Sequence, residues 1–278
     1  MTRRPLRALA LAIALGGAAT QSCAGGHPPL GRPYPAPSAE ELLRTVAAHQ
    51  QAARAMNARA RATSWIGGER LRATVLMLVE RGGRLRFEAE ISLQGTVATL
   101  TTDGARFQLL DLHANQLQQG PACPANVASL IRIPLGPAEV AAILLGDLRL
   151  PATAGAAGAG AAEVAWDAEA GADALIIKDG SRETRILLRP RERGARDIVG
   201  ASATEAGRRL WRASYEELDG PAELRMPKLI RFAERDGSFD EGVEIKIKDR
   251  TLNPALRPED FTILPPAGTS VIEVGCGR

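Results

Sequence analysis

The chain has 278 residues, with 35 Lys and Arg against 32 Asp and Glu and only 4% aromatic residues. Three of the basic residues (Arg3, Arg4, Arg7) and none of the acidic ones fall within residues 1–22, so the rest of the chain carries 32 charges of each sign. A nucleic-acid binder needs a net basic face, which this balance does not provide, and the shortage of aromatics demands a core of Leu, Ile, Val and Ala.

The first element is an address. The three arginines precede an apolar run over residues 6–19, too short to span a bilayer comfortably, and small residues then lead to Cys23. That order is a secretory signal peptide. A cysteine at the cleavage point indicates a lipoprotein with Cys23 acylated as the first mature residue. An exported protein with an incidental cysteine is the competing reading. On the first reading, buried acyl groups anchor the chain to a membrane. Residues 23–38 contain Pro28, Pro29, Pro33, Pro35 and Pro37 and read as an extended tether, in which neither His27 nor Tyr34 is assigned any chemistry. Residues 39–278 are enough for one well-cored domain.

Ser38 followed by Glu41 is a capping box. Leu42, Leu43, Val46, Ala53 and Met56 then recur at helical spacing and predict an amphipathic helix ending near Ala60. His49 lies on it with no metal-ligating partner at i+3 or i+4. The period then changes to two. Leu71, Ala73, Val75, Met77 and Val79 alternate with polar residues, and after Arg81-Gly82-Gly83 so do Leu85, Phe87, Ala89, Ile91 and Leu93, which predicts a hairpin with one wet face. Further strands are expected over 96–102, 106–111 and 116–119. Two short helices come next, over 124–133 and 138–145, the second apolar almost all round and closed by Gly146. Residues 152–162 form an Ala/Gly linker. Strands resume over 174–178, 183–188, 197–203, 208–217, 223–234 and 242–251, with Pro227 marking an edge or a bulge. Two strand groups flanking an apolar helical segment predict one highly curved sheet.

Catalytic signatures are missing from the sequence: there is no Gly-x-Ser-x-Gly elbow, no His-Glu-x-x-His, and no phosphate-cradling loop. The Ala-diluted glycines at 155–160 precede no strand–helix unit. An envelope hydrolase would need a nucleophile and base that the sequence does not display. Cys123 and Cys276 either pair, as an oxidising compartment permits, or stand as two unrelated thiols.

The lipoprotein signal, helix and meander are joined by Ile131-Arg132-Ile133-Pro134-Leu135 and by the run Val-Ala-Ala-Ile-Leu-Leu-Gly at 140–146. The chain ends with Asn253-Pro254, Pro258-Glu259-Asp260-Phe261 and Pro265-Pro266-Ala267-Gly268. In these features it resembles the LolA/LolB lipoprotein-carrier superfamily, most closely the LolB-like outer-membrane lipoproteins. The resemblance implies a mainly β chain with α (α+β): an unclosed, highly curved antiparallel β-barrel whose concave apolar face is plugged by helices. It implies a monomeric, non-enzymatic protein, without cofactor, metal or nucleic-acid partner, on the periplasmic face of the outer membrane. Its partners would be acyl chains of lipoproteins or lipids, the membrane through the lipid anchor, and a periplasmic carrier protein. Leu71, Val75, Met77, Phe87, Ile91, Ile143 and Leu144 are the expected cavity lining, each with plain core packing as its alternative. Leu93 is the nearest match to the membrane-inserting loop residue of the LolB-like proteins. Ala24 is not the acidic residue that retains lipoproteins at the inner membrane. A sensor or envelope assembly factor acting through a protein partner would use the same fold.

Overall fold

The computed structural model describes residues 31–66, 69–91, 95–150 and 162–276. Ser38 starts helix α1 (Ala39–Ala52): its side chain accepts a hydrogen bond from the Glu41 N–H at 3.1 Å, and Glu40 and Glu41 sit where the helix dipole favours acids. Leu42 and Val46 are buried. The helix stops at Ala52 rather than near Ala60, because a residue two hundred positions away ends it. The Asn253 side chain donates to the Ala52 carbonyl at 2.7 Å and accepts from the Arg54 and Ala55 N–H groups at 2.9 and 3.1 Å. The freed chain becomes strand β1 (Ala55–Ile66), with Met56, Ala58 and Ala60 buried at period two. Alanine and arginine are good helix formers, and here tertiary pairing overrides them.

Antiparallel strands then run in sequence: β2 (Glu69–Glu80), β3 (Arg84–Ile91), β4 (Gly95–Thr102), β5 (Arg106–Asp111) and β6 (Gln116–Pro121). Helices α2 (Pro124–Ile131) and α3 (Pro137–Leu144) separate them from β7 (Ala162–Asp167), β8 (Ala172–Asp179), β9 (Arg182–Pro190), β10 (Arg196–Glu205), β11 (Arg208–Glu216), β12 (Leu229–Glu234) and β13 (Val243–Leu252). With a last strand, β14 (Ser270–Glu273), all join one 14-stranded sheet, ordered β14-β6-β5-β4-β3-β2-β1-β13-β12-β11-β10-β9-β8-β7. It is a curved, unclosed barrel wall, as the sequence predicts. Two meanders meet where β1 pairs with β13, and β7 and β14 are left as edges. Strand β14 lies parallel to β6; neither it nor β7 is marked in the sequence pattern. Strand β12 starts only after Pro227, shorter than the 223–234 run.

This order dictates where the helices go. Strand β6 lies near one edge and β7 at the other, so the segment between them must cross a face of the sheet. Its residues are apolar, so it crosses the concave one. Helix α3 has Val140, Ala141, Ala142, Ile143 and Leu144 all buried and packs on β2 and β3. Gly83, in the β2–β3 turn with φ +104°, makes the approach possible: a β-carbon there would lie 2.9 Å from the Ala138 nitrogen. Helix α2 packs on β4 and ends at Ile131, two residues short of the predicted 133, with Arg132 capping it in the left-handed conformation. A disulfide joins Cys123, just before α2, to Cys276, just past β14, with Cα atoms 6.0 Å apart.

The proline-rich segment is docked at its C-terminal end. Arg32 Nε and Tyr34 Oη each donate to the buried Asp173 carboxylate at 2.9 Å, Tyr34 meets Trp166 edge-on, and Pro37 is buried. The extended tether therefore gives way to a fixed strap before residue 38, and Tyr34 is one of its fasteners.

Candidate functional site

Between the concave face and α2 lies an apolar cavity of about 300 Å³. Its origin is a deficit of side-chain volume. Ala62 of β1 pairs with Ala73 of β2, and Ala89 of β3 pairs with Val75 of β2, so small residues stand side by side at one end of the concave face. At the other end the wall is filled by α3. Helix α2 does not fill the gap, since of its residues only Val127 is buried; its Ser129, Leu130 and Ile131 form the roof, and Val243 and Ile245 of β13 close the side. Protein interiors rarely leave such voids.

Leu71, Val75, Met77, Phe87 and Ile91 all line this cavity. They also give it a direction. Met77 and Phe87 are 2% and 1% exposed and form the floor, whereas Leu71 and Ile91 are 48% and 47% exposed and form the mouth. Ile143 and Leu144 do not line it: α3 is driven fully into the core, and both are packed there. The apolar circumference of α3 signals burial on all sides, which is the opposite of a cavity wall. Leu93 and Cys23 lie outside the described residues.

The polar residues around the core act as fasteners. Asp147, buried after α3, receives two hydrogen bonds from Arg81 at 3.1 and 2.9 Å and lies 3.1 Å from His49 Nδ1. Gln50 donates to the Leu148 carbonyl and Tyr215 to the Asp147 carbonyl at 2.6 Å. Burial, helped by the Asp147 charge, pushes the Tyr215 phenol well above its usual range and keeps it a donor. His49 thus ties α1 to the chain after α3. Asp173 does the same for the N-terminal strap, with Arg196 Nε 3.6 Å away. Burial first, and then the bond to Asp173, push the Tyr34 phenol up to about 12. None of these links was legible in the sequence, because the partners are scores of residues apart and have no local signature. Among the described residues no group of His, Cys, Asp and Glu could hold a metal ion, and no helix is long and apolar enough to cross a membrane.

No family model matches the sequence, and no curated protein is significantly similar to it. Solved structures are similar in shape. A domain described as an outer-membrane lipoprotein-sorting protein from Vibrio parahaemolyticus superposes with a TM-score of 0.50 at 8% identity, over 81% of this chain and 97% of its own. This chain shares that domain's fold. A DUF1329 family protein from Desulfovibrio piger shares the fold at TM-score 0.51 and 10% identity, over 81% of this chain and 97% of that one. A LolA superfamily protein from Nitrosomonas europaea is also found, at TM-score 0.48 and 13% identity, over 82% and 99% of the two chains. At such identities only the fold is shared, and function has to be argued from the cavity.

Proposed function

We propose that this protein is a membrane-anchored lipoprotein whose cavity takes up acyl chains of lipoproteins or lipids, and that it receives or inserts lipoproteins at the periplasmic face of the outer membrane. The observation that carries this reading is the apolar hollow open at one end, with Leu71 and Ile91 at its mouth and Phe87 and Met77 at its floor. Each methylene moved from water into such a lining contributes about 0.8 kcal/mol. At about 300 Å³ the hollow lies at the small end of the roughly 300–1,000 Å³ typical of ligand sites, so a cargo with several chains requires the roof to move. On this reading the roof is α2, with one fully buried residue, rather than α3 with six. The signal sequence over residues 1–22, the Cys23 that follows it and the neutral Ala24 support anchorage at the outer membrane.

Native mass spectrometry of the full secreted chain carrying Cys23→Ser, mixed with a synthetic triacylated peptide, tests the proposal. A one-to-one complex at micromolar concentration is expected, and no complex with the peptide or with a single-chain lipid would sink it. A stoichiometric protein complex that persists after delipidation would instead favour a sensor or assembly factor.

A further inference from the structure

Charge is distributed unevenly around the cavity. Two of its lining residues are charged, Arg72 and Arg132, and both are cationic; among the described residues no acidic side chain contributes to the wall. Arg72 follows the mouth residue Leu71 on β2, and Arg132 caps the C-terminal end of the roof helix α2. Both are exposed, and among the described residues neither guanidinium has a carboxylate, carbonyl or ring partner. Arg81, Arg196, Arg225 and Arg231 are by contrast engaged with carboxylates; Arg61, Arg149 and Arg208 are also unpaired among the described residues, but none of these lines the cavity. The adjoining hollow beyond α2 contains Glu234 and Glu241, and neither pairs with Arg132. Glu69 at the start of β2 is exposed and, among the described residues, forms no ion pair. Gly67, Gly68, Ser92, Leu93 and Gln94, which lie outside the described residues, are all uncharged.

Arg132 is also one of six non-glycine residues at positive φ among the described residues. Its φ is +58°, a conformation that a β-carbon makes unfavourable by roughly 1–2 kcal/mol and that helices usually assign to Gly or Asn. The wall also offers the hydroxyl of Ser64, a donor that suits the same kind of ligand, whereas that of Ser129 donates to the Asn126 carbonyl at 2.6 Å.

We propose that the cavity selects amphiphiles with an anionic head, seating the acyl chain on the apolar lining and the phosphate or carboxylate against Arg72 and Arg132. This rests on the reading of the cavity as an acyl-chain site and goes beyond it, because an acyl ester or amide is neutral and would need no cation at the mouth. An exposed guanidinium pair that is otherwise idle suits a phosphate or carboxylate through charge-assisted, often bidentate hydrogen bonds.

The test is titration of the full secreted chain carrying Cys23→Ser, so that no acyl group of its own competes, with four palmitoyl lipids below their micellar concentrations. These are lysophosphatidic acid, palmitate, zwitterionic lysophosphatidylcholine and neutral monopalmitoylglycerol. The expected result is that at least one acid binds about ten-fold or more tightly than the neutral lipid, the size of one charge-assisted contact, and that raised salt erodes the difference. Preference for the phosphate alone supports a phospholipid source, and for the carboxylate alone a fatty-acid source. Arg72→Gln with Arg132→Gln should remove the preference, so that the acids bind no more tightly than monopalmitoylglycerol to the same variant, while the Lys double variant should retain part of it. Arg132→Gly should weaken acid binding with Tm unchanged or raised, which a purely structural arginine would not do. Equal binding of neutral and acidic lipids, or an acid preference that survives the Gln double variant, would overturn the inference and leave the cavity reading intact. Failure of all four lipids to bind would overturn the cavity reading itself.

Discussion

Three alanines set the capacity of the cavity. Ala62, Ala73 and Ala89 lie on adjacent strands, and each shortens the inward reach of its strand where a leucine or phenylalanine would fill the space. Ala73→Phe should therefore occupy the hollow. Because the new side chain enters existing space, its cost is expected at or below the ~1–3 kcal/mol of ordinary overpacking. Acyl-chain affinity should fall by about ten-fold or more, the cost of losing two buried methylenes. Fluorescent fatty-acid displacement and a thermal melt of the same sample check both halves. A variant that melts normally and still binds would show that ligands do not use this space.

The strap and the disulfide belong to the scale of elements. Residues 31–37 are held by neutral Tyr34 donating to Asp173, with the phenol pushed up to about 12 from an unfolded value of about 10. The folded state therefore binds the proton more tightly, so this contribution is complete below pH ~10 and is lost as pH rises through ~12. Limited proteolysis of the strap should accelerate across that window, and Tyr34→Phe should remove the step. The Cys123–Cys276 link closes a sequence separation of 153 residues, for which chain entropy allows up to about 5 kcal/mol. Cys123→Ser with Cys276→Ser should lower the urea midpoint and expose β14 to hydrogen exchange before the rest of the sheet. Gly120→Ala should act the same way, because a β-carbon there would meet the Val274 carbonyl that β14 brings alongside, and free thiols would be detected. Strands β2 and β3 were legible because one wet face imposes period two on them, and β4 to β6 because Gly95, Asp103-Gly104 and Asn115 punctuate the chain between them. Strand β1 was not, because its inner positions are mostly alanine, and alanine fits a helix as well as a strand.

For the whole molecule, one chain crossing decides the architecture. A sheet whose halves meet at β1–β13 puts β6 and β7 far apart, so the connecting helices must traverse the concave face and become both filler (α3) and roof (α2). The order of the strap relative to that body bears on anchorage: only residues 24–31 separate Cys23 from the docked Arg32, a reach of about 3.3–3.6 Å per residue at most. An acylated Cys23 would hold the domain close to the bilayer. Cell fractionation should find the wild-type chain in the membrane pellet and Cys23→Ser in the soluble periplasm. Equal partitioning would argue against a lipid anchor.

Short-range pattern in the sequence by itself determined a capped first helix, alternating strands, and an apolar helical insert between two strand groups. From these came the open curved sheet and five of the residues around the hollow, since alternation fixes which side chains face inward. Only the tertiary structure decided where α1 ends, because Asn253 does that from across the chain. It also decided which apolar helix is core and which is roof, since burial depends on what packs against a face and not on the face alone. The two arginines at the mouth were visible as residues, but their lack of a partner is a property of the folded surroundings, which no local pattern encodes.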